Sequence, residues 1–477
     1  MKEDIVRLSG ITIKNFKNVA YGTISFENNR KNYKSSILGL YGQNGSGKTA
    51  LIDAIDFLRY VLCGKSVPVR FADFINVDYE TATLIYEFDV QVQYGRYSVG
   101  YEVSLKKEDD VAIQSNEYTV SDENKHRVSV FNEVVKTMIV SKSGKNRTGK
   151  LIDTNTDEVF IPRAKADLLV GKNKKTRTDL LVARKLTEAS SRSFVFSKEL
   201  LTAIREQTSN TVNTADNELF LYASLIEALV KFGNRELFVV NTTNSGLISL
   251  NAQPLMFKYE SKDIGAVGTV MLPLETPVVI PQKMLGVVEK IIQNMNVVLE
   301  QLIPGLTISV KNLGIQLMEG DQIGARIQLM SRKNSKEIAL KYESEGIKKI
   351  ISILQLLIVV YNQPSITVAI DELDSGVFEY LLGELLRIIS EKGKGQLIFT
   401  SHNLRPLETL DKGFIAFTTV NPNHRYIHLN NVKENNNLRD FYYRDIMLGE
   451  QNERVYEPTN NSEISFAFRE AGELIGS

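Results

Sequence analysis

The sequence predicts an α/β fold in which a mixed sheet with helices is joined to an antiparallel β subdomain and carries a mostly helical insertion. Three observations predict this fold. Residues 36–41 form a nearly continuous apolar run, which predicts a buried strand. A glycine-rich turn joins this strand to a helical stretch at 49–62, whose apolar residues share one face. Residues 81–140 read as consecutive strands. Two later apolar strands, 365–372 and 396–402, end in carboxylates and in a histidine.

The glycine-rich turn has the pattern of a phosphate-binding loop: glycine, four residues, glycine, lysine and threonine. Glycines allow backbone N–H groups to point inward at phosphates, and the helix N-terminus adds partial positive charge. We expect Lys48 to reach the β- and γ-phosphates of ATP and the Thr49 hydroxyl to ligate Mg²⁺. The residues predicted to hold the nucleotide here are Gly42, Asn44, Gly45, Ser46, Gly47, Lys48 and Thr49.

The strand at 365–372 ends in Asp371 and Glu372, and we expect it to lie directly beside the strand of the phosphate loop. Asp371 is then a partner of Mg²⁺, and Glu372 is the candidate general base for the attacking water. The strand at 396–402 brings His402 to a position from which it can touch the γ-phosphate. The alternative for Asp371 and Glu372 is an acidic cap of the following helix, and the alternative for His402 is a structural role. Neither alternative explains why these residues occur together with a phosphate loop.

Ser344-Glu345-Gly346 follows a predicted hairpin at 325–343 and precedes an apolar helical run at 350–361. A serine and a glycine at a helix N-terminus form a small anion-binding site. Because N-capping serines are common, the interest of this tripeptide comes from its place about twenty residues before the carboxylate strand. We therefore include Ser344 and Gly346 among the predicted nucleotide contacts.

The order of these motifs divides the chain into four parts. We predict a first lobe with the phosphate loop and β subdomain at 1–165, a mostly helical insertion at 166–305, a second lobe at 306–425 and a C-terminal segment at 426–477. The last segment is either a partner-docking tail or a packed helix. The locally basic stretch 141–177 is either a DNA-contacting surface or a solvated loop.

The composition is that of a folded protein without a global electrostatic preference. Its 477 residues carry a formal net charge of zero, so no overall field attracts nucleic acid or anionic lipid. The single cysteine, Cys63, excludes internal disulfides and cysteine-built zinc sites. The N-terminus lacks the apolar core of a signal peptide, and the apolar run at 350–361 is too short to span a bilayer. These observations predict a cytoplasmic protein without membrane contact.

The ordered set of phosphate loop, Ser-Glu-Gly tripeptide, Asp-Glu strand and strand-ending histidine resembles the ABC-type ATPases of the RecF/SMC/OLD group, in particular its bacterial stand-alone AAA family ATPases. The opening Ile11-Thr-Ile-Lys-Asn-Phe-Lys adds to the similarity, as does the passage from Ile370-Asp-Glu-Leu-Asp-Ser-Gly to Phe399-Thr-Ser-His-Asn-Leu. The similarity covers roughly residues 8–105 and 320–420. It implies the fold of a P-loop ABC-type ATPase head, with ATP and Mg²⁺ as cofactors.

The resemblance also implies a homodimer that meets head to head through the ATPase heads, or a higher oligomer built on it. Each ATP would be held by Lys48 and Thr49 of one copy and by Ser344 and Gly346 of the other. Asp374 would belong to a loop that couples the two sites. The resemblance gives Asp371, Glu372 and His402 the roles of magnesium partner, base and switch.

Relatives also carry a glutamine that contacts Mg²⁺ from a loop between the lobes. Gln91, Gln93 and Gln114 are its candidates in this sequence. The sequence does not choose among them, and the gap bears on the rate of hydrolysis more than on binding.

Relatives convert ATP-driven closure into an action on DNA or into control of an attached effector. About 75 residues follow His402, and too few carboxylates cluster there to build a metal-dependent nuclease. We therefore expect an ATP-hydrolysing regulator or scaffold of a separately encoded nuclease or toxin, similar to the ATPase subunits of Septu-like or PARIS-like anti-phage defence pairs. The alternatives are a RecF-like DNA-binding repair ATPase and a scaffold that binds ATP without hydrolysing it.

Overall fold

The computed structural model of the chain describes residues 4–27, 36–109, 126–139, 147–211, 218–241, 252–260, 265–273, 276–318, 320, 322–334, 336–429, 437–449 and 451–475. The strands of these residues, in chain order, are β1 (Ile5–Phe16), β2 (Val19–Ser25), β3 (Ser36–Tyr41), β4 (Thr81–Val92), β5 (Gly95–Asp109), β6 (His126–Ile139), β7 (Arg147–Asp153), β8 (Leu237–Val240), β9 (Ala252–Glu260), β10 (Gly265–Pro273), β11 (Val278–Pro281), β12 (Leu306–Leu317), β13 (Ile323–Lys333), β14 (Lys336–Ala339), β15 (Thr367–Ile370), β16 (Gln396–Thr400), β17 (Ile415–Thr418) and β18 (Tyr426–Ile427).

The α-helices of the described residues follow the amphipathic stretches of the sequence closely. In chain order they are α1 (Lys48–Leu62), α2 (Arg163–Val170), α3 (Lys174–Ala189), α4 (Lys198–Ser209), α5 (Glu218–Arg235), α6 (Gln282–Leu302), α7 (Glu345–Asn362), α8 (Glu379–Lys392), α9 (Pro406–Thr409), α10 (Leu438–Leu448) and α11 (Asn461–Ile475). No helix in the described ranges combines the length and the apolar character that crossing a membrane requires.

A mixed six-stranded sheet forms the centre of the fold, with the strand order β18-β17-β3-β16-β15-β8. Neighbouring strands are parallel from β17 to β8, and β18 is antiparallel at the edge. Strands buried on both faces are apolar nearly throughout, as in β3, where every residue after Ser36 is buried. The α/β fold with a mixed central sheet that the sequence predicts is confirmed.

One strand of this sheet does not lie where the sequence analysis expects it. The expectation that the carboxylate strand β15 lies directly beside β3 is wrong, because β15 pairs with β16 and β16 pairs with β3. The chain leaves β15, passes through α8 and returns as the parallel neighbour β16, as successive strands usually do. The end of β16 therefore lies between the phosphate loop and the carboxylates.

The segment 166–305 contributes more than helices. After α5, β8 pairs in parallel with β15 and completes one edge of the central sheet. The alternation of apolar and polar residues that marks a strand is absent from Leu237-Phe-Val-Val, where all four residues are buried. Such a short apolar run cannot be distinguished from the end of a helix by periodicity, and no strand is predicted there from the sequence.

A second sheet is antiparallel throughout, with the order β2-β1-β4-β5-β6-β7. Its strands alternate buried and more exposed residues, as a half-covered sheet does. This sheet is the antiparallel β subdomain that the sequence predicts. A third, antiparallel sheet orders β11-β13-β12 with β14 paired to β13, and β9 pairs with β10 separately.

The central sheet separates two apolar cores. Successive residues of a strand point to opposite faces, and β16 accordingly sends Ile398 into one core and Leu397 and Phe399 into the other. The first core joins α1 and α5 to the antiparallel β subdomain. The second joins α6 and α7 to the sheet that contains β13. The nucleotide-loop helix α1 is thus held between two sheets, which fixes the direction in which its N-terminus points.

Candidate functional site

A pocket of about 420 Å³ opens where β3, β15 and β16 end. Parallel strands carry their loops at the same edge, which is where such sheets bind ligands. The pocket brings together the phosphate loop after β3, Asp371 and Glu372 after β15, and His402 after β16. Its lining residues are Lys17, Asn18, Asn44, Gly45, Gly47, Lys48, Thr49, Ala50, Asp371, Glu372, Thr400 and His402.

Two glycines of the loop are required by its backbone and by its neighbours. Gly42 has φ +153°, and a Cβ there would lie 1.8 Å from the Thr418 hydroxyl. Gly47 caps α1 in the left-handed region with φ +94°, which a residue with a side chain adopts only with strain. The Gly47 carbonyl also accepts a hydrogen bond of 3.0 Å from the Tyr426 hydroxyl. The loop therefore leaves β3 and enters α1 in one defined shape.

Lys48 lies inside this loop and is nearly buried, with 7% of its surface exposed. Its Nζ donates to the carbonyls of Gly42 at 2.8 Å and Gln43 at 3.0 Å. Burial lowers the pKa of Lys48, and the negative charges of Asp371, Glu372 and Asp374 oppose that change. A partly desolvated ammonium group facing carboxylates is well placed to meet an incoming phosphate.

A hydroxyl on β16 contacts both residues that follow β15, the Asp371 side chain and the Glu372 backbone. The Thr400 Oγ1 donates to Asp371 Oδ1 at 2.6 Å and accepts from the Glu372 backbone N–H at 2.8 Å. Glu372 has φ +50°, a conformation that costs a residue with a side chain about 1–3 kcal/mol and occurs often at functional sites. The hydrogen bond from the Glu372 N–H to Thr400 stabilises this backbone conformation.

Asp371 has the properties expected of a magnesium partner. It is 1% exposed, and its Oδ2 is buried without a hydrogen-bond partner among the described residues. A buried carboxylate oxygen without a hydrogen-bond partner is costly. A Mg²⁺ ion, or a water bound to it, would give this oxygen a partner and remove that cost. Thr49 lines the same pocket. The Asp371 carboxylate and the Thr49 hydroxyl are therefore a donor set that fits Mg²⁺.

Asp374 connects the loop after β15 to the loop after β16. Its Oδ2 accepts from the backbone N–H groups of His402 at 3.0 Å and Asn403 at 2.9 Å. The His402 side chain is exposed in the pocket. The position of this histidine relative to the carboxylates is therefore set by Asp374 through the backbone.

Ser344 and Gly346 are not part of this pocket. Ser344 caps α7, where its hydroxyl accepts from the Ile347 N–H at 3.4 Å, and it is exposed. Gly346 abuts the loop after β15 so closely that a Cβ would lie 2.2 Å from the Gly376 carbonyl oxygen. Within one chain, the start of α7 thus contacts the loop that carries Asp374 without reaching the phosphate loop.

Lys349, one turn further along α7, is 4% exposed. Burial lowers its pKa, while the negative charges of Glu372, Asp371 and Asp374 act in the opposite direction. Helix α7 is therefore linked to the pocket electrostatically as well as by contact. The sequence analysis did not assign a role to this lysine.

The pocket also contains residues that the sequence analysis missed. Lys17 and Asn18 line it from the turn between β1 and β2. Lys17 forms an ion pair with Asp53 of α1, and the Asn18 side chain donates to the Gly45 carbonyl. The signal was present as the Asn-Phe-Lys-Asn run of the opening motif, but nothing in the sequence places a β1–β2 turn beside a loop about thirty residues later.

Among the described residues, the structure does not place any of the three candidates for the magnesium-contacting glutamine in the pocket. Gln91 lies on β4 opposite Ile5 in the antiparallel sheet, and neither Gln91 nor Gln93 lines the pocket. Gln114 lies outside the described residues.

Three basic residues of the stretch 141–177 form ion pairs within the chain. Lys150 pairs with Asp153 at 2.7 Å and Lys165 with Glu218 at 2.6 Å. Arg177 pairs with Asp167. Residues 141–146 lie outside the described part of the chain. Charges that already have partners attract a phosphate backbone less strongly.

Comparison with known proteins gives a family and several similar structures. The model of the AAA ATPase domain family matches residues 7–405. No curated protein matches the chain. An Smc head bound to the C-winged helix domain of ScpA is 15% identical over 88% of this chain and 97% of that chain, with a TM-score of 0.39. An SMC head domain from Thermotoga maritima is 14% identical over 89% of this chain and 99% of that chain, with a TM-score of 0.36.

Proposed function

Because this chain belongs to the AAA ATPase domain family, we propose that it binds ATP with Mg²⁺ and hydrolyses it in composite sites between two copies that meet head to head. One observation carries the proposal. Lys48, Glu372 and His402 share a pocket, whereas Ser344, at an exposed helix N-terminus, lies outside it. A second copy is the simplest source of the helix N-terminus that completes the site.

In this proposal each group around the triphosphate has a separate task. The backbone N–H groups of the phosphate loop and the Lys48 ammonium bind the phosphate oxygens. Thr49 and Asp371 would hold Mg²⁺, which neutralises charge on the phosphates when it is bound. His402 donates a hydrogen bond to the γ-phosphate and so distinguishes ATP from ADP. The Ser344 hydroxyl and the α7 N-terminus of the second copy bind the far side of the triphosphate.

Glu372 is proposed as the general base. Its carboxylate accepts a proton from the water that attacks the γ-phosphorus, and the bond between that phosphorus and the bridging oxygen of ADP breaks. Thr400 and the backbone conformation of Glu372 orient the carboxylate for that step. Positioning of this kind supplies most of the catalysis in phosphoryl transfer.

Replacement of Glu372 by glutamine tests the assignment of the base. We expect Glu372→Gln to reduce ATP turnover by about 10²–10⁴-fold, the range for loss of general-base catalysis, and to accumulate an ATP-bound dimer. Turnover is measured by phosphate release and association by sedimentation velocity with ATP and Mg²⁺. Unchanged turnover would exclude Glu372 as the base, and a chain that remains monomeric with ATP would exclude the composite site.

We also propose that ATP-driven closure regulates or scaffolds a separately encoded nuclease or toxin in bacterial anti-phage defence. The support is the sequence resemblance to such ATPases together with an ATPase pocket. Coexpression with the neighbouring genes, followed by native mass spectrometry, tests this role. A stable complex whose composition changes with ATP is the expected result, and a chain that purifies alone in every nucleotide state contradicts it.

The alternative of a RecF-like DNA-binding ATPase has less support, because several cations of 141–177 already form ion pairs within the chain. DNA affinity that falls steeply with salt and requires ATP would favour this alternative over the effector role.

A further inference from the structure

The C-terminal helix α11 is not covered by any described part of the chain. It begins after Asn460, whose side chain accepts from the backbone N–H groups of Ser462 at 3.1 Å and Glu463 at 3.3 Å. Every residue from 461 to 472 is exposed. The preceding helix α10, by contrast, buries Leu438, Phe441 and Tyr442. Because a helix of this length is marginal in water without packing, α11 needs a surface to cover it.

One face of α11 is apolar and bordered by acidic side chains. Ile464, Phe468 and Ala471 follow each other at spacings of four and three residues, which places them on the same face. Ile464 is 43% and Phe468 77% exposed. Glu463 and Glu470, seven residues apart, flank this face on one side. The surface that α11 fits is therefore apolar with a basic border.

The chain attaches α11 to the phosphate loop. The Gln43 side chain accepts from the Glu457 N–H at 3.0 Å and donates to the Glu457 carbonyl at 3.5 Å. The first residue of α11 is four positions after Glu457, so the helix starts within about 14 Å of Glu457 even if the connection is fully extended. The helix itself is about 22 Å long. It can therefore reach a surface that lies next to the bound nucleotide.

A matching surface lies directly before Ser344. Ile338 is 42% and Tyr342 70% exposed. Around them stand the basic residues of the β13–β14 hairpin and of the turn that follows it. We call this group the hairpin surface; it consists of Lys333, Lys336, Ile338, Lys341 and Tyr342, of which the first three share one face of the hairpin. It has the apolar centre and the positive border that the face of α11 requires.

We propose that the apolar face of α11 in one copy docks on the hairpin surface of a second copy and clamps the ATP-bound dimer. This inference rests on the head-to-head arrangement proposed above. In that arrangement Ser344 of the second copy approaches the phosphate loop to which Gln43 and Glu457 attach α11. Tyr342 lies only two residues from Ser344, so the hairpin surface arrives beside α11 when the dimer closes.

The charges of the two surfaces favour docking of α11 on the hairpin surface. Glu463 and Glu470 border one side of the α11 face, and the hairpin surface offers Lys333, Lys336 and Lys341. Complementary charges of this kind contribute mainly to the rate and orientation of association, while the apolar contact of Phe468 supplies the affinity. The clamp would couple the C-terminus to nucleotide occupancy through Gln43.

The chain contains a matched pair of residues for the test. Phe466 and Phe468 are 68% and 77% exposed on the same helix, but Phe466 lies on the face opposite Ile464. Each is replaced by glutamate in the Glu372→Gln background. Dimer dissociation is measured by sedimentation velocity with ATP. We expect Phe468→Glu to weaken the dimer by about tenfold or more, as loss of a buried aromatic anchor does, and Phe466→Glu to change it less than about twofold.

The outcomes separate the two proposals. If the Glu372→Gln protein itself fails to dimerise with ATP, the head-to-head site is excluded. If it dimerises and the two phenylalanine variants behave alike, the head-to-head site stands and the clamp is excluded.

Crosslinking adds a direct readout of proximity. In a Cys63→Ser background, copies with Phe468→Cys are mixed with size-tagged copies that carry Tyr342→Cys and are treated with a short bismaleimide. We expect a crosslinked pair of unequal copies with ATP and much less of it without nucleotide. Mixing Phe466→Cys with Tyr342→Cys copies is the control. Equal yields from both mixtures, or yields that do not depend on ATP, would overturn the inference.

Discussion

The hydroxyl of Thr400 contacts both Asp371 and Glu372, the two acidic residues of the pocket. It donates to Asp371 and accepts from the Glu372 N–H, and both Thr400 and Asp371 are buried. The sequence offered only a threonine near the end of a strand. Its contacts depend on β16 lying between β3 and β15, and that strand order was predicted incorrectly.

Replacement of Thr400 by valine removes the hydroxyl and keeps the shape of the side chain. We expect turnover to fall by about tenfold, because about 1.4 kcal/mol of Glu372 positioning is lost, while ATP affinity stays within about twofold. Unfolding stability should fall by about 1–3 kcal/mol, since the hydrogen bonds of a buried carboxylate and an N–H are left unmade. Thr400→Ser keeps the hydroxyl and should recover most of the turnover. Equal loss in both variants would contradict this account.

At the scale of single residues, the sequence indicated much of what the pocket contains. Lys48, Thr49, Asp371, Glu372 and His402 come from three separate segments, and the structure brings all of them to one pocket. Their chemical roles stay predictions. Lys17, Asn18 and Lys349 could not be identified, because their proximity to the pocket arises only from how the sheets and α7 pack.

At the scale of elements, the start of α7 is the contact through which, in the proposed dimer, one copy would report its state to the other. Gly346 touches the Gly376 carbonyl, and Gly376 belongs to the loop that carries Asp374. The serine–glycine pattern identified the helix N-terminus. Nothing in the sequence showed that this N-terminus also presses on the loop after β15.

Gly346→Ala tests this contact. The added Cβ would lie 2.2 Å from a backbone oxygen, so the loop or the helix must move. We expect turnover to fall by about tenfold or more, because a displaced loop moves the catalytic groups, and ATP binding by the isolated copy to change little. Gly286→Ala on α6, where a Cβ would meet nothing within 4 Å, is the matched control. Wild-type turnover in the Gly346 variant would show that the contact has no functional role.

Glu133 on β6 joins the β subdomain to the segment before α4. The fully buried carboxylate accepts from the Tyr101 hydroxyl at 2.6 Å and the Phe194 N–H at 2.7 Å, and also from the Ser193 hydroxyl. Burial raises the pKa of Glu133, and these hydrogen bonds oppose the change. This arrangement could not be predicted from the sequence, because a glutamate in an alternating strand is expected to face solvent.

The raised pKa sets the sign of a pH effect. A carboxyl whose pKa is higher in the folded state stabilises the fold below its unfolded pKa of about 4.3, and this contribution is lost as the pH rises through the folded pKa. Glu133→Gln cannot titrate. We therefore expect the free energy of unfolding of the wild type, relative to that of Glu133→Gln, to decrease from about pH 4 upward. Urea unfolding at several pH values measures this difference, and a difference that grows with pH would contradict the assignment.

At the scale of the whole molecule, the sequence predicted the class of fold and the family. The mixed sheet, the antiparallel β subdomain and membership in the AAA ATPase domain family are confirmed. These features follow from local patterns: strand alternation, helix periodicity and one loop motif. The order of strands and the contribution of β8 to the sheet depend on long-range pairing, which a local pattern does not encode.

The central claim is that each site is built from the phosphate loop of one copy and the α7 N-terminus of another. Lys48→Ala and Ser344→Arg each inactivate both sites of a homodimer in this account. A dimer that contains one copy of each variant, however, keeps one intact site, because the wild-type phosphate loop of one copy faces the wild-type Ser344 of the other.

The most direct measurement is therefore ATP turnover after the two inactive proteins are mixed. We expect mixing to restore activity to about one quarter of the wild-type rate, since half of the dimers are mixed and each has one of two sites. Copurification of differently tagged copies shows that mixed dimers have formed. If mixed dimers form and the mixture stays as inactive as its components, the two residues do not meet across one ATP and the account is wrong.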